Sequence, residues 1–201
     1  MFESPNYPTD PAAVDAFVAS QRHGTLIAQA PGGYPQITII PFLKHGDTIE
    51  IHCVQGDPTL DALRANPRVT FLVSDFLAFS PHDWISAEDA GRATLHFRAV
   101  AYECDATVST EPDDVAAALE RLVSTYHPGT PHHPVADDAF YGPRLRRLAT
   151  MRLSIVNTRA KFKTGPAGTP DLKRDIAGRL RERGDPNDAR AADVILSYLS
   201  D

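Results

Sequence analysis

The chain is poor in residues that staple or anchor a protein. Its 201 residues include two cysteines, two methionines and one tryptophan. Cys53 and Cys104 make no disulfide framework. Each stands in an apolar, strand-like run, so reduced, buried thiols are expected. No apolar run approaches the ~20 residues that a membrane helix needs. Residues Met1 to Tyr7 show neither the basic stretch nor the apolar core of a secretory leader, so a cytoplasmic protein with no membrane contact is expected. A phosphate loop, a dinucleotide glycine fingerprint, a serine–histidine–aspartate set, paired carboxylates and a partnered cysteine nucleophile are all missing at useful spacing. No catalytic side chain is therefore named. If the protein is an enzyme, a cofactor carries the chemistry.

What is present is ordinary in amount and uneven in placement. Hydrophobic residues make up 42% and charged residues 23%, which suits a globular domain long enough to bury its own core. Net charge is −6, yet residues 144–183 hold 12 Lys and Arg against 3 acids, so that segment is +9 and the rest is −15. Such asymmetry suits an anionic ligand, nucleic acid or an acidic docking face. The overall acidity argues against strong non-specific DNA binding.

Along the chain, Asp10-Pro11 opens a helix to about Gln21, with Val14, Phe17 and Val18 as its apolar stripe. Strands follow at 24–30, 36–43 and 48–54, with turns at Pro31-Gly32-Gly33 and His45-Gly46-Asp47. Pro41 inside the second run marks an edge or bulge with backbone groups free to meet something other than a strand. In the third, Ile49, Ile51 and Cys53 face one way, Glu50 and His52 the other. A short helix at 57–66, a strand at 69–79, a loop through Trp84, a long strand at 92–108 and a helix from Glu111 come next. After a Pro/His-rich loop at 127–138, a helix at 141–148 precedes a strand from Met151. Helices at 172–183 and 187–199 close the chain. Short turns between strands imply an antiparallel sheet. The pattern reads as an α+β protein whose six strands curl into a small barrel. One domain over 1–201 is expected, with 169–201 as a helical extension packed on it.

Several groups invite a functional reading beside a structural one. Lys161 and Lys163 point to one side of an extended segment. The Gly165-Pro166-Ala167-Gly168 turn after them would let a phosphate or carboxylate approach the backbone. They could equally keep a sheet edge soluble. Trp84 is a core plug or a flat platform for an aromatic ligand. His52 is a half-exposed strand histidine or a donor to a ring oxygen or phosphate. His96 and Arg98, on one face opposite Leu95 and Phe97, form solvated surface or a pair that holds an anion. His127, His132 and His133 lack the further ligands a metal site needs, so no metal is expected.

Taken together, these segments resemble the PaiB-like family of FMN-binding split-barrel proteins, a branch of the pyridoxamine-phosphate-oxidase-like superfamily. The likeness begins at Met1-Phe2 and covers most of the chain. Thr38-Ile39-Ile40-Pro41-Phe42-Leu43 is similar to the family's Thr-His-Leu-Pro-Phe-Leu. His52-Cys53-Val54-Gln55-Gly56-Asp57-Pro58 is similar to its His-Met-Ala-Arg-Ala-Asn-Pro. Ser80-Pro81-His82-Asp83-Trp84 resembles Ser-Pro-Ser-Trp, and Thr94-Leu95-His96-Phe97 sits where the family has Thr-Trp-Asn-Tyr. Ala160-Lys161-Phe162-Lys163 resembles Ala-Lys-Phe-Lys, and the two final helices also look familial. The resemblance implies an antiparallel six-stranded split β-barrel with flanking helices and a helical C-terminus. It implies a homodimer holding FMN in clefts between subunits. The ring would lie along Thr38, Ile39, Ile40 and Pro41, and the phosphate near His52, Cys53, Val54 and Thr59. Trp84, His96, Arg98, Lys161 and Lys163 complete the candidate cofactor contacts. A flavin-dependent oxidoreductase or flavin carrier with an unknown small-molecule redox substrate is the implied function. A PaiB-like transcriptional repressor bound to DNA, or a split barrel that has exchanged FMN for haem or another anion, is the alternative. The chain departs from the family pattern at Gln55, Asp57 and Ile39, where the family has arginine, asparagine and histidine. A carboxylate in place of a neutral amide, and a lost guanidinium, disfavour a dianionic phosphate.

Overall fold

The computed structural model describes residue 7 and residues 9–199, so the expected likeness at Met1-Phe2 lies outside the described residues. In order, its elements are α1 (Pro11–Ser20), β1 (His23–Ala28), β2 (Gln36–Pro41), β3 (Leu43–His45), β4 (Thr48–Val54), α2 (Pro58–Ala65), β5 (Arg68–Ser80), β6 (Thr94–Ser109), α3 (Pro112–Tyr126), α4 (Gly142–Leu145), β7 (Leu148–Lys163), α5 (Pro170–Arg183) and α6 (Asp188–Ser197). Two short 3-10 turns, His82–Trp84 and Ala90–Arg92, lie between β5 and β6. The α+β class with a helical C-terminus is as the residue pattern predicts.

Seven strands form one sheet in the order β2-β1-β5-β6-β7-β4-β3. The sequence predicts six, because residues 36–43 read as one run. Phe42 divides that run into β2 and β3, which take the two opposite ends of the strand order. Two strands joined by a single residue therefore bound both ends of the sheet. That is how such a sheet closes into a split barrel.

The chain forms two compact units. Of the described residues, the first gathers those up to 15, 74–100 and 159–199; the second gathers 16–73 and 101–158. In the second unit β1 pairs antiparallel with β2 and with the start of β5, and β4 pairs with β3 and with β7. The alternation read in β4 is realised. Ile49, Ile51 and Cys53 are buried and sit opposite Leu153, Met151 and Ala149 of β7. Helix α2 starts where Asp57 accepts the Thr59 N–H at 2.8 Å with Pro58 in its first turn. A small cluster of Val115, Ala116 and Leu145 seats α3 against α4. The helix predicted over 141–148 is only four residues long, because β7 begins at Leu148.

In the first unit, α5 and α6 pack on the end of β5. Ile176, Ala177, Leu180, Ala191, Ala192 and Ile195 close over Leu77 and Ala78. Thr169 caps α5, and Gly184 ends it in the left-handed conformation, φ 71°. Asp188 is buried and gripped by the Arg183 fork at 2.6 and 2.8 Å, which ties the start of α6 to the end of α5. Arg190 of α6 forks onto Asp75 of β5 at 2.7 and 2.9 Å.

Candidate functional site

The thirteen residues singled out from sequence divide between the units. Thr38, Ile39, Ile40, Pro41, His52, Cys53, Val54 and Thr59 belong to the second; Trp84, His96, Arg98, Lys161 and Lys163 belong to the first.

In the second unit, β2 is a terminal strand paired on one side only with β1. Its burial alternates. Ile40 is buried, whereas Ile37 and Ile39 are 59% and 73% exposed, which is unusual for isoleucine in a strand. Thr38 lies 2.7 Å, hydroxyl to hydroxyl, from the buried Thr59, so two candidates twenty-one residues apart in sequence meet. The backbone freedom expected at Pro41 is largely taken. Tyr126 of α3 accepts the Phe42 N–H at 3.3 Å, and its hydroxyl lies 2.7 Å from both the Phe42 and the Arg22 carbonyl. A tyrosine eighty-four positions away leaves no trace in the local pattern around Pro41.

The third-strand motif is internally occupied. Gln55 donates to the carbonyls of Arg146 and Leu148 at 3.2 and 3.0 Å, so it knits a loop to β7. Asp57 places its own carboxylate at the N-terminus of α2, where an anion would otherwise be welcome. Cys53 is buried, and burial pushes its thiol up to about 11, so no thiolate is available. His52 faces α3 and borders a cavity of about 10 Å³, with no room for a ring system. Burial lowers the affinity of its imidazole for a proton. Val54 is exposed. A recess of about 590 Å³ lies elsewhere in this unit, between Ile27, Arg68, Thr70, Glu103 and Val156, and none of the thirteen residues lines it.

In the first unit, the predicted polar face of β6 is reversed. His96 is fully buried, whereas Leu95 is 45% exposed. The ring has a defined tautomer. Its Nδ1 accepts the Gly165 N–H at 3.2 Å, so the proton sits on Nε2 and is donated to Ser80 Oγ at 2.9 Å. A histidine that donates to a serine is no base for it, so this buried pair is not a nucleophilic dyad. Burial first, then the charges of Lys163 and Arg183, lower its pKa to about 4. His96 is therefore neutral near pH 7 and grips no anion through charge. The same bond corrects the expected close approach of an anion to the Gly165 backbone, because that N–H is already used and Gly165 is buried.

Arg98 donates to Asp75 at 2.7 Å, so its charge answers a carboxylate of the protein itself. Trp84 packs against the α5–α6 cluster, and the Arg183 guanidinium lies 5.1 Å over its ring. One face of the indole is thus covered. Lys161 and Lys163 lie within β7, not after it. Burial, then the neighbouring Lys161 charge, lowers the Lys163 pKa, the electrostatic setting that an added anion would relieve. Elsewhere in the second unit, His132 pairs with Glu120 and His133 with Asp138, and among the described residues no group of three or more His, Cys, Asp or Glu stands ready to hold a metal. Among the described residues no helix is long and apolar enough to cross a membrane.

Comparison with known proteins bears on this geometry. Residues 1–157 match the family described as "Putative FMN-binding domain". That span is more than half of the chain, and the chain belongs to this family. No curated protein matches it. Among solved structures it is similar to the flavocytochrome Anf3 from Azotobacter vinelandii, with TM-score 0.64, 21% identity, and coverage of 85% of this chain and 74% of that one. It is also similar to an FAD and heme binding protein from Mycobacterium smegmatis, with TM-score 0.63, 19% identity, and coverage of 86% and 80%. A third is the conserved hypothetical protein Rv2991 from Mycobacterium tuberculosis, with TM-score 0.57, 19% identity, and coverage of 81% and 91%. At these identities the structures speak for the split-barrel fold alone.

Proposed function

We propose that this member of the FMN-binding domain family binds flavin mononucleotide as a homodimer and serves as a flavin-dependent oxidoreductase or flavin carrier. The observation that carries the reading is β2: a terminal strand with Ile37 and Ile39 bare and the Thr38–Thr59 hydroxyl pair beside them. An apolar, extended edge suits a flat ring, with unpaired backbone groups for the polar rim of that ring. When bound, flavin supplies hydride and single-electron transfer. The chain would bind and orient it and exclude water from its apolar side.

The residues fit the ring better than the phosphate. In the second unit the phosphate would meet two hydroxyls and the Asp57 carboxylate, with Gln55 turned to the backbone. An asparagine at position 57 keeps the cap and removes the charge. Titration of FMN into the full chain, followed by quenching of flavin fluorescence, is expected to show saturable binding. Asp57→Asn is expected to tighten it by roughly tenfold, the effect of removing one close repulsive charge. No binding by either protein removes the proposal.

Nothing in the site favours the alternatives. For haem, the histidines that would offer an axial nitrogen are engaged: both nitrogens of His96 are committed, and in the Pro/His-rich loop His132 pairs with Glu120 and His133 with Asp138. The basic C-terminal segment is answered in part by the protein's own acids. Arg174, Arg179, Arg181 and Arg183 each pair with an aspartate, which weakens the case for a DNA-facing surface.

A further inference from the structure

The second unit contains a polar recess that the flavin reading does not use. It has a volume of about 270 Å³ and is lined by Glu50, Thr107, Ser109, Asp114, Arg121 and Arg152 among others. That is a little below the usual range for drug-sized ligands, and so suits a small metabolite. Glu50, on β4, is only 8% exposed. It accepts Arg121 Nε and Nη2 at 2.9 Å each and Arg152 Nε at 3.2 Å. Burial pushes its carboxyl up, but the bonds and charges of the two arginines outweigh this and hold it below the usual range.

One carboxylate between two guanidiniums leaves one positive charge over. It also leaves Arg121 Nη1 and both terminal nitrogens of Arg152 with donors that Glu50 does not use. Arg152 is 62% exposed at its side chain, so those donors are open to a visitor. The hydroxyls of the recess are already donors. Thr107 gives its proton to the Arg152 carbonyl at 3.4 Å, and Ser109 gives its own to Asp114 at 2.6 Å. The Thr107 oxygen keeps its acceptor capacity, whereas Ser109 Oγ already accepts the Glu111 N–H at 3.2 Å and has one lone pair left. Asp114 carries a further negative charge in the first turn of α3 and forms no ion pair with either arginine among the described residues. The recess thus presents a surplus positive charge on the arginines and a negative charge on Asp114, with the Ser109 hydroxyl beside the latter.

We propose that this recess binds a small zwitterion of amino-acid size, its carboxylate on Arg121 and Arg152 and its ammonium group on Asp114. A guanidinium fork matches a carboxylate in shape as well as charge, and an ammonium group donates to a carboxylate and to hydroxyl oxygens. The site is independent of the flavin site, and its test needs no flavin. The full chain is screened against the standard L-amino acids by thermal shift. The best binder is then compared by calorimetry with its two single-charge halves, the acid lacking the amino group and the amine lacking the carboxyl.

The expected result is a rise in midpoint with at least one amino acid and at least tenfold weaker binding of either half. Arg152→Gln is expected to weaken binding about tenfold, and Asp114→Asn to weaken the amino acid but not the amino-free acid. Far-UV circular dichroism checks folding; if Arg152→Gln does not fold, Arg152→Lys, which keeps the charge and loses the fork, is read in its place. The proposal is overturned if no amino acid shifts the midpoint. It is equally overturned if the amino-free acid binds as tightly as the amino acid, or if the folded variants bind as the parent does.

Discussion

Gly24 is buried in β1 because nothing larger fits. A Cβ there would collide with the ring of Phe71, which is fully buried and cannot swing away. Gly24→Ala is expected to lower stability by about 1–3 kcal/mol, the usual range for overpacking, read from the urea midpoint. His96 makes a different prediction, in pH. Its folded pKa of about 4 lies below the ordinary 6.5, so the unfolded chain takes the proton first. The stability it confers is complete above pH 6.5 and is lost as pH falls through the window from 6.5 to 4. The whole effect is about 3 kcal/mol at roughly 1.4 kcal/mol per unit. Denaturation at pH 7.5 and 4.5 checks it: His96→Gln should show a shallower acid loss than the parent. An equal loss in both would place the titration elsewhere. Burial of His96 was illegible in Leu95-His96-Phe97. Alternation says which residues share a face but not which face is inside.

At the scale of elements, the junction of β2 and β3 rests on α3. Tyr126 serves the N–H of Phe42 and a carbonyl on either Phe42 or Arg22, and Arg22 lies 4.9 Å over its ring. Tyr126→Phe leaves those backbone groups without that partner and is expected to remove about 1–3 kcal/mol. Hydrogen exchange should rise first at Phe42 and along β2. Exchange that rises evenly over the chain would deny the junction its dependence on α3. The helices were largely legible, since Pro11, Pro58 and Pro112 stand at the starts of α1, α2 and α3 and Gly184 at the end of α5. The extent of β7 was not. Residues 157–160 carry little apolar alternation, and a strand there is decided by pairing with its neighbours.

For the whole molecule, the exposed isoleucines of β2 define the test of association. Ile37 and Ile39 bare on a terminal strand are a liability for a lone chain and an asset for a paired one. In the proposed homodimer, Ile39→Lys should move the chain from dimer to monomer in sedimentation velocity and weaken FMN binding with it. A dimer that survives with full flavin affinity would place the seam on another surface.

The amino-acid sequence by itself determined the α+β class, the proline-started helices, the alternation of β4 and the family pattern. All of these rest on local periodicity or on short motifs. Only the tertiary structure decided that Thr38 meets Thr59, that His96 lies inside as a neutral donor, and that the arginines of α5 are answered by aspartates. It likewise brought Glu50, Arg121 and Arg152 together from β4, α3 and β7. The physical reason is that charge pairing and burial depend on neighbours distant in sequence, and no local period encodes which of them will arrive.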